Sequence, residues 1–274
     1  MSTNGRFIDV GGGSLWAETA GSGTPIVLVH GFSFDLTTWD DQFTAFSRSH
    51  QVTRYDLRGF GRSSVPAGPY SHVDDLLQVL QQTGNAPAHV VGLSLGANVA
   101  LSLALTQPRA VCSIVLAASG LPGHAWTEDR PPDAALAHAK SHGMRSAKAF
   151  WLAHPLFASV NDRPPVAAKL RRVVDQYSGW HWENDNPMRP FEATRERLAE
   201  VKTPALVVSG ERDVEGYRAI ARELADGIEG ARLVRMAGAG HLVNMEEPLR
   251  FNEQVLAFTA RVDDAREHPV QARD

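Results

Sequence analysis

A serine flanked by glycines is the first residue of this sequence whose surroundings indicate chemistry. Residues 92–96 read GLSLG, which has the spacing G-x-S-x-G around Ser94. An apolar run typical of a buried strand, 89–93, precedes the serine, and a run of small residues typical of a helix, 96–105, follows it. A strand, a sharp turn and a helix in this order present a serine hydroxyl as a nucleophile for acyl carbon atoms.

The residues around the serine also predict how a developing negative charge would be held. Gly92 and Gly96 are expected because a strained turn at the serine leaves no room for Cβ atoms two residues away. The helix that begins at Leu95 would direct its first amide towards an oxyanion. A second amide should come from the loop after the third strand, where Phe32 is the natural donor and His30 is expected to support the loop.

Activation of the serine requires a base and an acid that orients the base. Of the eleven histidines, His241 follows the glycine-rich stretch 237–240 directly after a strand-like run. It should therefore lie at the carboxyl edge of the sheet, where α/β proteins bind their ligands. The order in this motif is serine, acid, histidine, and the strand before His241 ends near Asp213. Asp213 is the predicted acid, with Glu211 and Glu215 as alternatives.

The elements that must position these residues alternate along the chain. A helix is predicted to begin at Ser71, which can cap it, and to end at Gly84, because apolar residues recur between them at helical spacing. Strands that alternate with helices predict an α/β fold with a mostly parallel sheet flanked by helices. Eight segments have the pattern of strands: 7–10, 15–19, 25–30, 51–57, 89–93, 111–118, 204–209 and 231–236.

Residues 121–191 interrupt this alternation. Proline and aromatic residues are frequent there, and no strand-like run of useful length is present. We interpret 121–191 as a helical cap inserted after the sixth strand, between the core segments 1–120 and 192–262. The remaining segment, 263–274, is polar and contains a proline, so a frayed tail is expected.

The cap is predicted to provide the substrate pocket. An insertion at this edge of the sheet should fold back over the nucleophile, where large apolar rings can wall a concave site and exclude water. We therefore predict that Trp151, Trp180 and Trp182 line the pocket. The alternative is that these rings only attach the cap to the core.

Composition and charge exclude several other functions. The 274 residues carry a formal net charge of −4 and include a single cysteine, Cys112, in an apolar run. Neither nucleic acid nor an anionic membrane is an expected partner, and Cys112 should be a buried core residue.

The chain has no signal-peptide pattern and no run long enough to span a bilayer, so a cytoplasmic location is expected. His138 and His142 have a spacing seen in zinc sites, but no third ligand is evident, so neither a metal nor another cofactor is expected.

These motifs together resemble the α/β-hydrolase superfamily, and the resemblance extends from about residue 7 to residue 261. Its esterase branch, which includes the 3-oxoadipate enol-lactonases, is the most similar. The resemblance implies an α/β-hydrolase fold with Ser94 as nucleophile, Asp213 as acid and His241 as base. The chain departs modestly from the family pattern, since Ala97 stands where a glycine is common and no proline follows the acid. The matching segments are 30–32 (HGF), 56–63 (DLRGFGRS), 92–96 (GLSLG), 210–213 (GERD) and 238–241 (GAGH), the last followed by Glu246 and Pro248.

The expected activity is hydrolysis of a small or medium carboxylic ester or lactone through an acyl-enzyme. A carbon–carbon bond hydrolase and a cofactor-free perhydrolase would use the same three residues. A slowly turning over receptor for a small molecule is the alternative from another class, because a fold does not fix a function. Steady turnover of a short chromogenic ester would favour the enzyme over the receptor.

Overall fold

Eight strands form one sheet in the computed structural model, which describes residues 4–268. Every residue of the apolar runs at Ala88–Leu93, Val111–Ala117 and Ala205–Gly210 is buried, because strands covered on both faces need apolar residues at each position. The strands are β1 (Asn4–Val10), β2 (Gly13–Ala20), β3 (Pro25–Val29), β4 (Gln51–Tyr55), β5 (Ala88–Leu93), β6 (Val111–Ala117), β7 (Ala205–Gly210) and β8 (Arg232–Met236).

The strand order confirms the predicted, mostly parallel sheet. The order is β1-β2-β4-β3-β5-β6-β7-β8. Strand β2 pairs antiparallel with both β1 and β4, and every other neighbouring pair is parallel. Because β3 and β5 to β8 run in the same direction, the loops that follow them gather at one edge of the sheet.

Helices cover the sheet and also fill the predicted cap. Ser71 accepts a hydrogen bond from the amide of Asp74 at 3.2 Å, and Gly84 ends the same helix with φ of 69°, as the sequence predicted. The helices are α1 (Asp40–Phe46), α2 (His72–Thr83), α3 (Leu95–Thr106), α4 (Pro131–His142), α5 (Met144–Leu152), α6 (Pro164–Gln176), α7 (Trp180–Glu183), α8 (Glu215–Gly227), α9 (Val243–Glu246) and α10 (Pro248–Glu267).

The segment between β6 and β7 is helical. It contains α4 to α7 and a 3₁₀ stretch, Pro155–Asp162. Polar contacts attach it to the core: Lys169 pairs with Asp40 at 2.9 Å, and Arg163 pairs with Glu247 at 2.7 Å. These attachments hold the segment against the edge of the sheet at which the loops gather.

The last helix is longer than the sequence indicated. Helix α10 continues to Glu267, so residues 263–267 are helical and not frayed, whereas 269–274 lie outside the described residues. Phe258 and Val262 are buried at helical spacing, and Asp263 Oδ1 lies 3.0 Å from His89 Nε2. The polar residues that indicated a tail form the outer face of the helix.

Among residues 4–268, no helix combines the length and apolarity needed to cross a membrane.

Candidate active site

Ser94 lies at a strained turn between β5 and α3. Its φ is 53° and its ψ is −110°, a conformation that residues with a Cβ atom seldom adopt. A Cβ atom on Gly92 would collide with the carbonyl group of Gly96, and one on Gly96 would collide with the carbonyl group of Val29. The two glycines therefore permit the turn, in agreement with the steric reason inferred from the sequence.

His241 and Asp213 form a buried pair at the carboxyl edge of the sheet. His241 Nδ1 lies 2.9 Å from Asp213 Oδ2, and the other carboxylate oxygen accepts the amide hydrogen of Val214 at 2.8 Å. The alternative acids lie elsewhere. Glu215 pairs with surface arginines on α8, and Glu211 is exposed. Of the three acids considered, Asp213 is the one that contacts the histidine.

A second carboxylate fixes the loop that carries the histidine. Glu246, which is buried, accepts the amide hydrogen of Gly240 at 3.0 Å and that of Leu242 at 3.1 Å. These amides flank His241 on both sides, so Glu246 holds the backbone from which the imidazole projects. Sequence reasoning noted Glu246 only as part of a family pattern, because its contact with the loop depends on the turn between them.

A cavity of about 440 Å³ opens beside the serine. Ser94, Leu95 and Phe32 lie on its wall, so the two residues predicted to supply oxyanion donors are next to the nucleophile. Leu95 is the first residue of α3, and first-turn amides have no acceptor within their own helix. The imidazole of His30 links the Phe32 loop to the residues after β4: Nδ1 lies 2.8 Å from the carbonyl oxygen of Gly31, and Nε2 accepts the amide hydrogen of Leu57 at 2.9 Å.

The cap contributes to this cavity, but not through the predicted tryptophans. Trp151, Trp180 and Trp182 are absent from its wall. Trp151 is buried and donates from Nε1 to Ser33 Oγ at 2.8 Å, and Trp182 is buried against other rings at the junction of cap and core. Trp180 is half-buried, with its ring against His181. The alternative interpretation of the sequence, that these rings attach the cap to the core, therefore describes Trp151 and Trp182.

Other cap residues take the place of these tryptophans. His181, which lies between Trp180 and Trp182, is on the wall because α7 turns its imidazole towards Phe60, with ring centroids 4.3 Å apart. The further residues of 121–191 on the wall are Leu121, Pro122, Gly123, His124, Trp126, Arg130, Asn186, Met188 and Phe191. Their irregular surroundings gave the sequence no periodic signal from which their direction could be predicted.

Tyr217 is a site residue that sequence reasoning missed. Its ring centroid lies 4.3 Å from that of His241, and it lines the cavity with Ser94. Burial raises the pKa of the phenol, while the nearby Ser94 hydroxyl opposes the shift, so the phenol stays protonated near neutral pH. The sequence carried no signal for this contact, because Asp213 lies two residues before α8 and helical spacing does not relate it to Tyr217.

Two buried histidines on the wall are neutral near pH 7. Burial lowers the pKa of His181 to about 4 and that of His72 well below its ordinary value. The Nδ1 atom of His72 is buried without a hydrogen-bond partner among the described residues. Sequence reasoning placed His72 only in the first turn of a helix, and the fold turns it towards the cavity.

His138 and His142, which have a spacing seen in zinc sites, contact neighbouring rings and a serine. The rings of His138 and His142 stack on each other at 4.3 Å, and His138 also stacks on Phe150. His138 Nε2 lies 2.8 Å from Ser146 Oγ. Between residues 4 and 268, no group of three or more histidine, cysteine or acidic side chains is arranged to hold a metal ion.

Comparison with known proteins relates this geometry to a family. Residues 26–254 match the model of the alpha/beta hydrolase family. A protein of Azorhizobium caulinodans named "Putative carbamate hydrolase RutD" is 28% identical over 271 residues, covering 92% of this chain and 97% of its own. A protein of the same name from Variovorax paradoxus is 31% identical over 259 residues, covering 88% of this chain and 93% of its own.

Solved structures of hydrolases are also similar to this chain. The enol-lactonase of Burkholderia xenovorans is 28% identical, with a TM-score of 0.80 over 93% of this chain and 100% of that one. An N-acyl homoserine lactone degrading enzyme is 29% identical, with a TM-score of 0.79 over 92% of this chain and 100% of that one. From the family match, these relatives and the fold, the chain is a hydrolase and belongs to the alpha/beta hydrolase family.

Proposed function

We propose that this hydrolase cleaves a small or medium carboxylic ester or lactone through an acyl-enzyme on Ser94. The observation that carries the proposal is the buried hydrogen bond of 2.9 Å between His241 and Asp213, at the sheet edge where Ser94 lines a cavity. A cavity of about 440 Å³ is in the range of small-molecule sites. The structural relatives that act on lactones support the same substrate class.

In the first half of the reaction, Ser94 Oγ attacks the acyl carbon while His241 Nε2 takes the hydroxyl proton. The carbonyl oxygen becomes an oxyanion, which the amides of Phe32 and Leu95 hold. The bond to the alcohol oxygen then breaks, and His241 returns the proton to that oxygen. Asp213 keeps the Nδ1–H tautomer of His241 in place and stabilises the imidazolium without accepting the proton.

In the second half, water replaces the alcohol. His241 takes a proton from water as the water oxygen attacks the acyl-enzyme, and the same amides hold the second oxyanion. The bond to Ser94 Oγ breaks, the serine regains its proton from His241, and the carboxylic acid leaves. For a lactone, the alcohol released in the first half remains attached to the acid, so a single hydroxy acid is formed.

A carbamate is a second candidate substrate. Relatives at 28% and 31% identity bear a name that assigns them, as putative members, to carbamate hydrolysis. A carbamate presents the same carbonyl carbon to Ser94, so the two candidates differ only in the group attached to it. Turnover of matched ester, lactone and carbamate substrates of equal length separates them.

The first test is covalent labelling of the serine. We expect a fluorophosphonate to label wild-type protein at Ser94, and Ser94→Ala to lose both the label and ester turnover by several orders of magnitude. Ser141→Ala is a suitable control, because it changes an exposed serine on α4 whose hydroxyl donates to the carbonyl of Ala137 in the same helix. Mass spectrometry locates the label. Labelling at another residue, or an active Ser94→Ala protein, would refute the proposed nucleophile, and one acylation without turnover would favour a receptor.

A further inference from the structure

Two kinds of oxygen atom gain negative charge in the proposed reaction, and they differ in how they are stabilised. The carbonyl oxygen receives two amide hydrogens, from Phe32 and Leu95. The oxygen that leaves receives only the proton of His241 Nε2. That oxygen belongs to the alcohol in the first half of the reaction and to Ser94 in the second. A further hydrogen-bond donor beside His241 would therefore lower the barrier to both departures.

The ring of Tyr217 lies beside the histidine. Tyr217 is the third residue of α8 and is buried, and its ring centroid lies 4.3 Å from that of His241. The ring also meets Trp126 edge to face, with centroids 5.3 Å apart. A Cβ atom on Gly216 would collide with the indole of Trp126, so the indole packs directly against the first turn of α8. These contacts fix the direction of the phenol next to the imidazole.

The hydroxyl group of Tyr217 is close to the nucleophile. It shares the cavity wall with Ser94 and interacts with the Ser94 hydroxyl. Since His241 delivers its proton to the leaving oxygen, that oxygen must come within hydrogen-bond reach of Nε2. A hydroxyl carried on a ring against His241 and close to Ser94 is in the region that each leaving oxygen occupies.

The phenol keeps its proton during the reaction. Burial raises its pKa and the negative charge of Asp213 raises it further, while the Ser94 hydroxyl and the Arg130 guanidinium act in the opposite direction. A neutral phenol has one O–H group to donate. It can therefore stabilise negative charge on an oxygen without replacing His241 as the source of the proton.

Tyr217 is on a different part of the wall from the Phe32 loop. Its ring contacts Trp126 and His241. Among the described residues, the ring of Phe32 contacts another set, namely Phe60, Trp151, Tyr177, His181 and Trp182. Because Tyr217 adjoins the base, its placement favours contact with the leaving oxygen over contact with the carbonyl oxygen.

We propose that the Tyr217 hydroxyl is a catalytic hydrogen-bond donor to the leaving oxygen, and that it suits the enzyme to esters of unactivated alcohols, whose alkoxides are strongly basic. The proposal deepens the proposed function and rests on it for the acyl-enzyme. When the bond from the acyl carbon to the alcohol oxygen breaks, its electron pair stays on that oxygen, His241 Nε2 supplies the proton, and Tyr217 keeps its own. In the second half, the same hydroxyl donates to Ser94 Oγ as that oxygen leaves.

The test varies the leaving alcohol and keeps the acyl group constant. The para-nitrophenyl, phenyl, trifluoroethyl and ethyl esters of butanoic acid release steadily more basic oxygens, and kcat/KM covers every step up to release of the alcohol. Tyr217→Phe keeps the ring beside His241 and removes only the hydroxyl. We expect this variant to lower kcat/KM by about tenfold to a hundredfold for the ethyl ester and by less than about twofold for the para-nitrophenyl ester.

Tyr55→Phe is the matched control. The hydroxyl of Tyr55 is buried in β4 without a hydrogen-bond partner among the described residues, and Tyr55 is not on the cavity wall. All four esters should react with this variant as they do with wild-type protein. An equal loss for all four esters in Tyr217→Phe would assign the hydroxyl to another step and overturn the proposal. An unchanged rate for the ethyl ester would overturn it as well.

Acylation without turnover separates this inference from the proposed function. Aryl dimethylcarbamates transfer a carbamoyl group to a nucleophilic serine. Mass spectrometry gives the rate at which the para-nitrophenyl and phenyl dimethylcarbamates modify Ser94. If wild-type protein hydrolyses no ester, yet Tyr217→Phe slows the phenyl probe about fivefold more than the para-nitrophenyl probe, the inference stands and the proposed function fails. If the esters are hydrolysed and the loss in Tyr217→Phe is the same for every leaving group, the function stands and the inference is wrong.

Discussion

The roles proposed for individual side chains follow from which oxygen or nitrogen atom each one faces. Asp213 uses one oxygen for the histidine and the other for the amide of Val214, so its carboxylate is fixed in orientation. Glu215, only two residues away, points to Arg218 and Arg222 at the surface. The two acids are neighbours in sequence and have opposite surroundings, which makes them a matched pair for mutation.

We predict that Asp213→Asn folds normally and loses ester turnover by about three to four orders of magnitude, because the amide favours the wrong imidazole tautomer. Glu215→Gln should keep turnover within about twofold, since only exposed ion pairs are removed. The measurements are kcat/KM for a short ester and circular dichroism of each variant. Near wild-type activity of Asp213→Asn would show that another group orients His241.

At the scale of elements, the sequence predicted the parts that are regular. Glycines around Ser94, a capped α2 and apolar central strands each have a local physical cause, and the structure contains all of them. The wall of the cavity could not be predicted in this way. Helix α7 has four residues, too few for periodicity to tell whether Trp180, His181 or Trp182 faces the cavity.

The same limitation applies to residues that meet across the fold. The contact of Tyr217 with His241 depends on how α8 leaves the sheet, which no local pattern in the sequence indicates. Arg130 precedes a helix in the cap, where the sequence indicates a helix start and not a direction. Local patterns therefore predicted Ser94, Asp213 and His241 as candidates, and tertiary packing determined which residues line the cavity.

One contact links the cap to the loop that carries Phe32. The indole nitrogen of Trp151 donates to Ser33 Oγ at 2.8 Å, and Ser33 has a positive φ of 63°. Since Ser33 directly follows Phe32, this hydrogen bond restrains the peptide next to the proposed oxyanion donor. The inserted segment thereby helps to position the loop that carries Phe32.

We predict that Trp151→Phe lowers kcat about tenfold with little change in KM, because the proposed oxyanion donor loses its restraint. The unfolding free energy should fall by about 1 kcal/mol, the typical contribution of one hydrogen bond. Trp180→Phe is the control, since that half-buried ring lies away from the loop. Steady-state kinetics and thermal melts of both variants are required. An unchanged kcat in Trp151→Phe, or an equal loss in Trp180→Phe, would contradict this role.

For the molecule as a whole, the buried titratable groups predict how stability depends on pH. Burial lowers the pKa of His30 to about 4, that of His181 to about 4, and that of His72 well below its ordinary value. Between pH 6.5 and 4 the unfolded chain therefore binds protons that the folded chain excludes, so stability falls as the pH falls. Burial raises the pKa of Asp56 to about 7 and also raises the pKa of Asp75, which acts in the opposite direction. These two carboxyl groups are outnumbered, because burial also lowers the pKa values of His50, His89 and His154.

We predict that the unfolding free energy decreases as the pH is lowered from 6.5 towards 4. His181→Gln should reduce the slope by up to about 1.4 kcal/mol per pH unit, because one excluded proton is removed. His142→Gln is the control, as His142 is exposed on α4. Urea unfolding at several pH values gives the slopes, and equal slopes in His181→Gln and wild-type protein would show that His181 is protonated in the folded state.

The position of Phe32 has a consequence for how this protein can be re-engineered. Phe32 lines the cavity together with Ser94, and its ring packs against five other rings: Phe60, Trp151, Tyr177, His181 and Trp182. Four of these five belong to the inserted segment, so the insertion is not an exchangeable module. A graft that supplies a new specificity but omits the four rings would leave Phe32 unsupported. An exchange of the insertion should therefore include a redesign of residue 32 in the same step.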